Sequence, residues 1–306
     1  MSSFLEKVVK GFKNPLHAML VLLPDRFWNQ LDDKTFLRIK YQSRTRKKLN
    51  LNNPTRFNEK LQWLKLYDRK PEYTVMVDKY AVREYIAQAV GQQYLIPLIG
   101  VWDNADEIDF DALPNQFVLK CNHNSARGLC ICKDKSKLDI EKTRNSLRQG
   151  LAQDFYIIFR EWPYKNVKRR IIAEQYMDDG SGELRDYKVL CFNGEPKLVQ
   201  YHQGRFTYHT QDFYDTQWNR LPITQGTPLS ENALEKPVFL EEMLELSRKL
   251  AKDIPHVRVD WYYVDGQLYF GELTFFDASG FDDFEPDEWN EIIGSWITLP
   301  IKREEL

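Results

Sequence analysis

A 306-residue chain with 42% apolar and 29% charged side chains can build one large or two to three small globular domains, and it is not a disordered chain. The net charge of −2 hides an asymmetry: residues 1–70 hold sixteen Lys/Arg against six Asp/Glu, a balance of +10 that leaves −12 for the remainder. No segment offers the roughly eighteen apolar residues a bilayer span needs, and four cysteines are too few for a disulfide scaffold, so the chain reads as cytoplasmic with no nucleic-acid partner.

Ser2–Phe12 reads as an amphipathic helix, with Phe4, Leu5, Val8, Val9 and Phe12 on one side, suited to packing on the domain or to a membrane interface. The run Leu16–Leu23 stops at Pro24 without a small-residue cleavage site and is neither signal peptide nor anchor. Arg44, Arg46, Lys47 and Lys48 form a basic cluster that could meet an acidic polysaccharide or the inner membrane face, or simply be solvated. A helix is predicted after Pro54, with Phe57, Leu61, Leu64 and Tyr67 at helical spacing, and a second over Thr74–Val90, closed by Gly91.

The strand LIGVW follows, then an acidic loop containing Asp109-Phe110-Asp111. Gln116–Lys120 is a strand, CNHNSARG a polar loop, and LCICK another strand. Cys121, His123, Cys130 and Cys132 lie close together, but their spacing fits no common zinc pattern, and core thiols explain them. Glu141–Arg160 is predicted helical and Arg170–Met177 extended. Tyr187–Phe192 and Pro196–Tyr201 form a hairpin around Asn193-Gly194, and Val238–Ala251 is an amphipathic helix. VRVDWYYV and QLYFGELTF form a second hairpin around Asp265-Gly266. Hairpins interleaved with helices indicate an α+β fold with antiparallel sheets.

The second hairpin places Asp260 beside Glu272. Two neighbouring carboxylates with no paired base suit Mg²⁺ that also binds phosphate oxygens, although sheet-edge carboxylates are often only solvated. Arg258, two residues before Asp260, shares its strand face. Lys120 ends a strand beside a loop of backbone donors, an arrangement that can hold a polyphosphate. Lys79 opens the second helix, Glu174 precedes a possible hinge at Tyr176-Met177, and Asp186 and Lys188 alternate on the next strand.

In this order the elements resemble the ATP-grasp superfamily, and the stretches FNEKLQWLK, DKYAVREY, FVLKCNH, REWPYKNVK, IIAEQYM and VRVDWYYVDGQLYFGELTFF resemble its TupA-like branch, over about residues 45–300. FNEKLQWLK and REWPYKNVK are the stretches specific to that branch. The resemblance implies two α+β lobes gripping ATP behind a basic helical region. The boundaries would be 1–70 for that region, 71–115 for a linking segment, 116–175 for the small lobe and 176–306 for the large lobe. It further implies that Lys79 and Lys120 contact ATP phosphates and that Asn124, Ser125 and Gly128 belong to a mobile flap. Glu174, Tyr176 and Met177 would face adenine, and Asp186, with Lys188 beyond it, would lie on the ribose side. Asp260 and Glu272 would hold Mg²⁺, and Arg258 would stabilise the reacting acyl phosphate.

Two departures accompany the likeness. Thr274 stands where the superfamily usually has a third metal ligand, Asn, and Asp277-Ala278 replaces a Pro-Gly pair. Arg205 is a further candidate for the γ-phosphate or a substrate carboxylate, and equally reads as a surface arginine. The implied activity is ATP-dependent ligation of a carboxylate acceptor to an amine donor, in assembly of acidic surface polysaccharide. A glycosyltransferase using Asp109 and Asp111, a kinase on the same fold and a non-catalytic nucleotide-binding module are the alternatives.

Overall fold

The computed structural model describes residues 28–182, 184–204 and 208–301. Ser2–Phe12, Leu16–Leu23 and Arg205 lie outside the described residues. Two antiparallel sheets enclose a cleft between them.

The smaller sheet contains β1 (Leu98–Trp102), β2 (Phe117–Cys121), β3 (Cys130–Cys132) and β4 (Ile171–Gln175), in the order β1-β4-β2-β3. β2 alternates in burial: Phe117, Leu119 and Cys121 enter the small core, while Val118 and Lys120 turn to the cleft. α5 (Ile140–Ala152) closes the core side through Leu147. β1 comes from the stretch read as a linking segment; it pairs with β4 and is an edge of this sheet.

The larger sheet contains β5 (Asp186–Phe192), β6 (Glu195–Gln203), β7 (Thr210–Tyr214), β8 (Arg220–Leu221), β9 (His256–Val264) and β10 (Gln267–Thr274), in the order β10-β9-β5-β6-β7-β8. Both predicted hairpins form, and their turns have positive φ at both central residues: 49° and 87° at Asn193-Gly194, 50° and 82° at Asp265-Gly266. One face of this sheet packs on α7 (Leu240–Leu250), where Trp261 Nε1 donates to Ser247 Oγ. His256, Arg258 and Asp260 alternate onto the opposite face, which α2 (Phe57–Tyr67) meets through Phe57 against His256 and Phe192.

Two predicted helices are interrupted, each by an aspartate. Thr74–Val90 divides into α3 (Glu72–Val77) and α4 (Val82–Ala89) because Asp78 is extended, with its carboxylate accepting from the Tyr80 and Ala81 N–H groups. Glu141–Arg160 divides into α5 and α6 (Phe155–Phe159), with Asp154 capping the second. A short polar side chain that satisfies free amides makes a new helix start preferable to continuation. Lys79 therefore lies in a turn rather than opening a helix.

The basic cluster lies at the surface, and two of its residues pair with acids of the same chain. α1 (Asp33–Thr45) ends at Arg46 in left-handed conformation; Arg44 pairs with Asp282 at 2.9 Å, and Lys47 with Asp283 at 3.1 Å and Asp287 at 2.7 Å. Arg56 adds a two-pronged contact to Asp287, at 2.6 and 3.0 Å. Two of the four residues read as a surface for an acidic partner are thus engaged within the chain. No described helix is long and apolar enough to cross a membrane.

Candidate active site

The cleft, of about 320 Å³, has two kinds of wall. Ile96, Val118, Leu129, Ile131, Met177 and Leu184 supply its apolar lining; Lys79, Lys120, Glu174, Asp186 and Glu272 supply charges. Ile131 is 45% exposed and Leu129 43%, because their side chains face this opening rather than a core. An apolar slot with a few convergent charges is the usual build of a small-molecule site.

Register explains how the charges converge. Val118 pairs with Glu174 across β2 and β4, so Lys120, two residues on, reaches Glu174 Oε2 at 2.6 Å. Across the cleft, Asp260 pairs directly with Glu272, and a bulge between Phe270 and Glu272 leaves Gly271 on the cleft wall. Lys188 pairs in register with Asp260, and their side chains form a buried ion pair; Lys188 Nζ also lies 3.5 Å from Asp186 Oδ2. The expected sheet-edge pair is therefore asymmetric. Glu272 is on the edge strand, whereas Asp260 is one strand inside and 2% exposed.

Arg258 organises these charges. Its Nε and Nη2 hold Asp260 at 2.7 and 2.8 Å, and Nη2 lies 3.4 Å from Glu272 Oε1 and donates to Thr274 Oγ1 at 3.2 Å. Nη1 pairs with Asp277, whose other oxygen is buried and accepts no hydrogen bond. Lys79 Nζ stands 3.2 Å from Glu272 Oε2 and donates to the Asn124 carbonyl at 3.0 Å. Burial would raise the Glu272 carboxyl, but Lys79, Arg258 and Lys188 overcome it and hold the group well below the usual carboxylate range. Burial likewise disfavours the Arg258 cation, and Asp260 and Asp277 more than restore it. Packed together, these carboxylates and cations each favour the ionised form of the other.

The oxygen donors Asp260, Glu272 and Thr274 suit a hard divalent cation. Among the described residues no three His, Cys, Asp or Glu side chains form a closed metal cage, so a cation held here would have to complete its shell with phosphate oxygens and water. The donor set fits on that condition.

The family model for TupA-like ATPgrasp proteins matches residues 59–298. This chain belongs to that family. No curated protein matches the chain. Among solved structures, it is similar to a D-alanine–D-alanine ligase from Bacillus anthracis complexed with ATP, at 17% identity and a TM-score of 0.39, covering 66% of this chain and 54% of that one. A D-alanine–D-alanine ligase from Helicobacter pylori shows 15% identity and a TM-score of 0.43, with 79% and 69% coverage. D-cycloserine synthetase DcsG shows 12% identity and a TM-score of 0.40, with 72% and 70% coverage. The chain spans about half the length of the first of these.

The fold is thus an ATP-grasp fold of α+β type, with the helices α1 and α2 preceding its sheets. Within it, Asn124, Tyr176 and Met177 line the cleft, while Lys188 serves Asp260 and does not. Ser125 is not a lining residue, and Gly128 packs: at φ 79° a Cβ there would stand 3.0 Å from Cys121 Sγ and 3.2 Å from Gly150 Cα. Cys121 and Cys132 are buried, and the His123 ring bonds the Gln153 carbonyl at 3.0 Å, leaving these side chains in packing. Asp109 forms an exposed turn, accepting from the Asp111 N–H at 3.0 Å. The sequence reading missed Arg83, which lies 3.4 Å from Glu174 and donates to the Ile96 carbonyl at 2.8 Å; its signal was a position one helical turn after Lys79. It also missed Lys133, which lines the cleft from a loop where periodicity has no hold; Arg127, inside the Asn124–Gly128 loop expected as a flap, lines it too.

Proposed function

We propose that the chain is an ATP-dependent carboxylate–amine ligase that works through an acyl phosphate and releases ADP. The observation that carries this reading is the register pair Asp260–Glu272, held by Arg258 and Lys79, with Glu272 and Lys79 on the wall of the cleft and Asp260 buried behind it. Adenine would lie between Val118, Ile131 and Met177, with Glu174 and the backbone of Tyr176 and Met177 at its edge and Asp186 toward the ribose. Lys79 and Lys120 would leave Glu272 and Glu174 for phosphate oxygens, with the Asn124–Gly128 loop alongside.

Asp260, Glu272 and Thr274 would hold Mg²⁺, which when bound neutralises phosphate oxygens during transfer. A substrate carboxylate then attacks the γ-phosphate, and Lys79 and Arg258 offset the repulsion between two anions. The amine displaces phosphate from the acyl carbon. No protein nucleophile is required. A uronic-acid carboxylate of bacterial surface polysaccharide as acceptor, with an amino acid as amine, is supported by the family affiliation alone.

The test is to supply Mg-ATP and candidate carboxylates with hydroxylamine in place of the amine. A hydroxamate with stoichiometric ADP is expected. ADP with a stable phosphorylated sugar and no hydroxamate would identify a kinase instead.

A further inference from the structure

At Asp277, which Arg258 contacts, the chain makes an unusual turn. Ala278, Ser279 and Gly280 all adopt left-handed conformation, with φ of 45°, 54° and 64°. L-residues avoid that region, so two non-glycine residues in succession persist only where neighbours hold them. Asp277, which begins the turn, is the residue that grips Arg258 Nη1.

The neighbours come from outside the two sheets. Gln62 Nε2, on α2, donates to the Gly280 carbonyl at 2.6 Å and the Ser279 carbonyl at 3.2 Å. Lys65, one turn further along α2 and fully buried, donates to the Ser279 carbonyl at 2.7 Å and the Phe159 carbonyl at 3.0 Å. Its ammonium lies over the rings of Phe281 and Phe276, at 4.6 and 5.5 Å. From the other side, Ser279 Oγ donates to buried Glu161 at 2.5 Å. Gly280 passes so close to α2 that a Cβ would stand 2.9 Å from Leu61 Cβ. Burial pulls the Lys65 ammonium below the usual lysine range, and the Glu161 carboxylate works against that fall. A buried lysine is retained only where its donors are used, and here they are used on the turn.

We propose that Gln62, Lys65 and Glu161 are positioning residues that fix the Asp277–Gly280 turn and, through Asp277, the guanidinium of Arg258. This deepens the reading of the cleft as a phosphoryl-transfer site and rests on it. It gives the N-terminal helical region a part in the reaction. Two separate stretches meet here: FNEKLQWLK supplies Gln62 and Lys65, REWPYKNVK supplies Glu161, and all three side chains reach this turn.

The experiment needs no acceptor. Binding of Mg-ADP, with and without aluminium fluoride to mimic the phosphoryl group in flight, is measured by calorimetry for wild type, Lys65→Met, Glu161→Gln and Ser279→Ala. Hydrogen exchange of the Ser279 and Phe281 amides is followed in the ligand-free proteins. Wild type should bind Mg-ADP and tighten with aluminium fluoride. The variants should keep the Mg-ADP affinity within about twofold, lose about tenfold of the fluoride increment, and exchange those two amides faster while α7 stays protected. Ser279→Ala removes only the hydroxyl that reaches Glu161, so it tests the other side of the clamp if Lys65→Met does not fold. A full fluoride increment in the variants would overturn the proposal and leave the clamp as packing. Wild type that binds Mg-ADP without any increment, or ignores it, would overturn the reading of the cleft itself and the clamp's role with it.

Discussion

Asp260 and Glu272 face each other across β9 and β10, but loss of charge has different consequences at the two positions. Glu272 is on the edge strand with its side chain 34% exposed, so Glu272→Gln should abolish Mg-dependent turnover and cost less stability than loss of charge at Asp260. Asp260 is buried between Arg258 and Lys188, and Asp260→Asn leaves two buried cations short of a partner. Breaking a buried pair costs about 3–5 kcal/mol, so this variant should lose stability as well as turnover in urea titrations. An Asp260→Asn protein as stable as wild type would show that Asp186 and Asp277 suffice for both cations. His256 is the second residue with a readable consequence. Burial among Phe57 and Phe192 pulls its imidazole down to about 4, against the pull of Asp277 and of its bond to the Cys191 carbonyl, with Arg258 adding to the fall. The unfolded chain takes up a proton near pH 6.5 that the folded chain refuses until about 4. This contribution is complete above pH 6.5 and is lost as pH falls toward 4, by about 3 kcal/mol. His256→Asn keeps a donor for Cys191 and should flatten that part of the stability profile; equal slopes in both proteins would place the acid sensitivity elsewhere.

At the scale of elements, α2 connects the N-terminal region to the site, and its docking can be tested at a distance. α8 (Trp289–Ser295) crosses the start of α2 at Gly294, where a Cβ would stand 2.7 Å from Phe57 N, 2.9 Å from Arg56 C, and closer still to the Thr55 carbonyl. Gly294→Ala should therefore push the two helices apart and cost about 1–3 kcal/mol, seen as a lower melting temperature. No change on melting would mean that α8 slides freely on α2. The ion pairs from Arg44 and Lys47 to Asp282, Asp283 and Asp287 join the same region to the segment after the turn. Exposed pairs of this kind contribute about 1 kcal/mol or less, so apolar packing and the buried Arg56 contact hold the helices in place.

For the whole molecule, the cleft between the sheets predicts which ligand stabilises the fold. Mg-ATP should raise the melting temperature, by about 2.7 kcal/mol of stabilisation at a hundredfold excess over Kd, whereas UDP-sugars should not. Stabilisation by a UDP-sugar alone would move attention to the exposed Asp109 turn and away from Asp260 and Glu272.

Both hairpins were legible from Asn193-Gly194 and Asp265-Gly266, because a two-residue turn with positive φ is a local requirement and few residue pairs meet it. From that followed the neighbourhood of Asp260 and Glu272, and from strand alternation the placement of Arg258 beside Asp260. The breaks at Asp78 and Asp154 were not legible. Helical periodicity runs through both, and only the structure shows which amides each carboxylate caps; Asp78 also accepts from Asn122, forty-four residues away. Nor could spacing show that the basic cluster meets Asp282, Asp283 and Asp287, or that Lys65 holds the carbonyl of Ser279, 214 residues further along the chain. Turn chemistry and alternation are set by a few neighbouring residues, whereas the partner of a buried charge is chosen by the packing of distant segments, which no local pattern records.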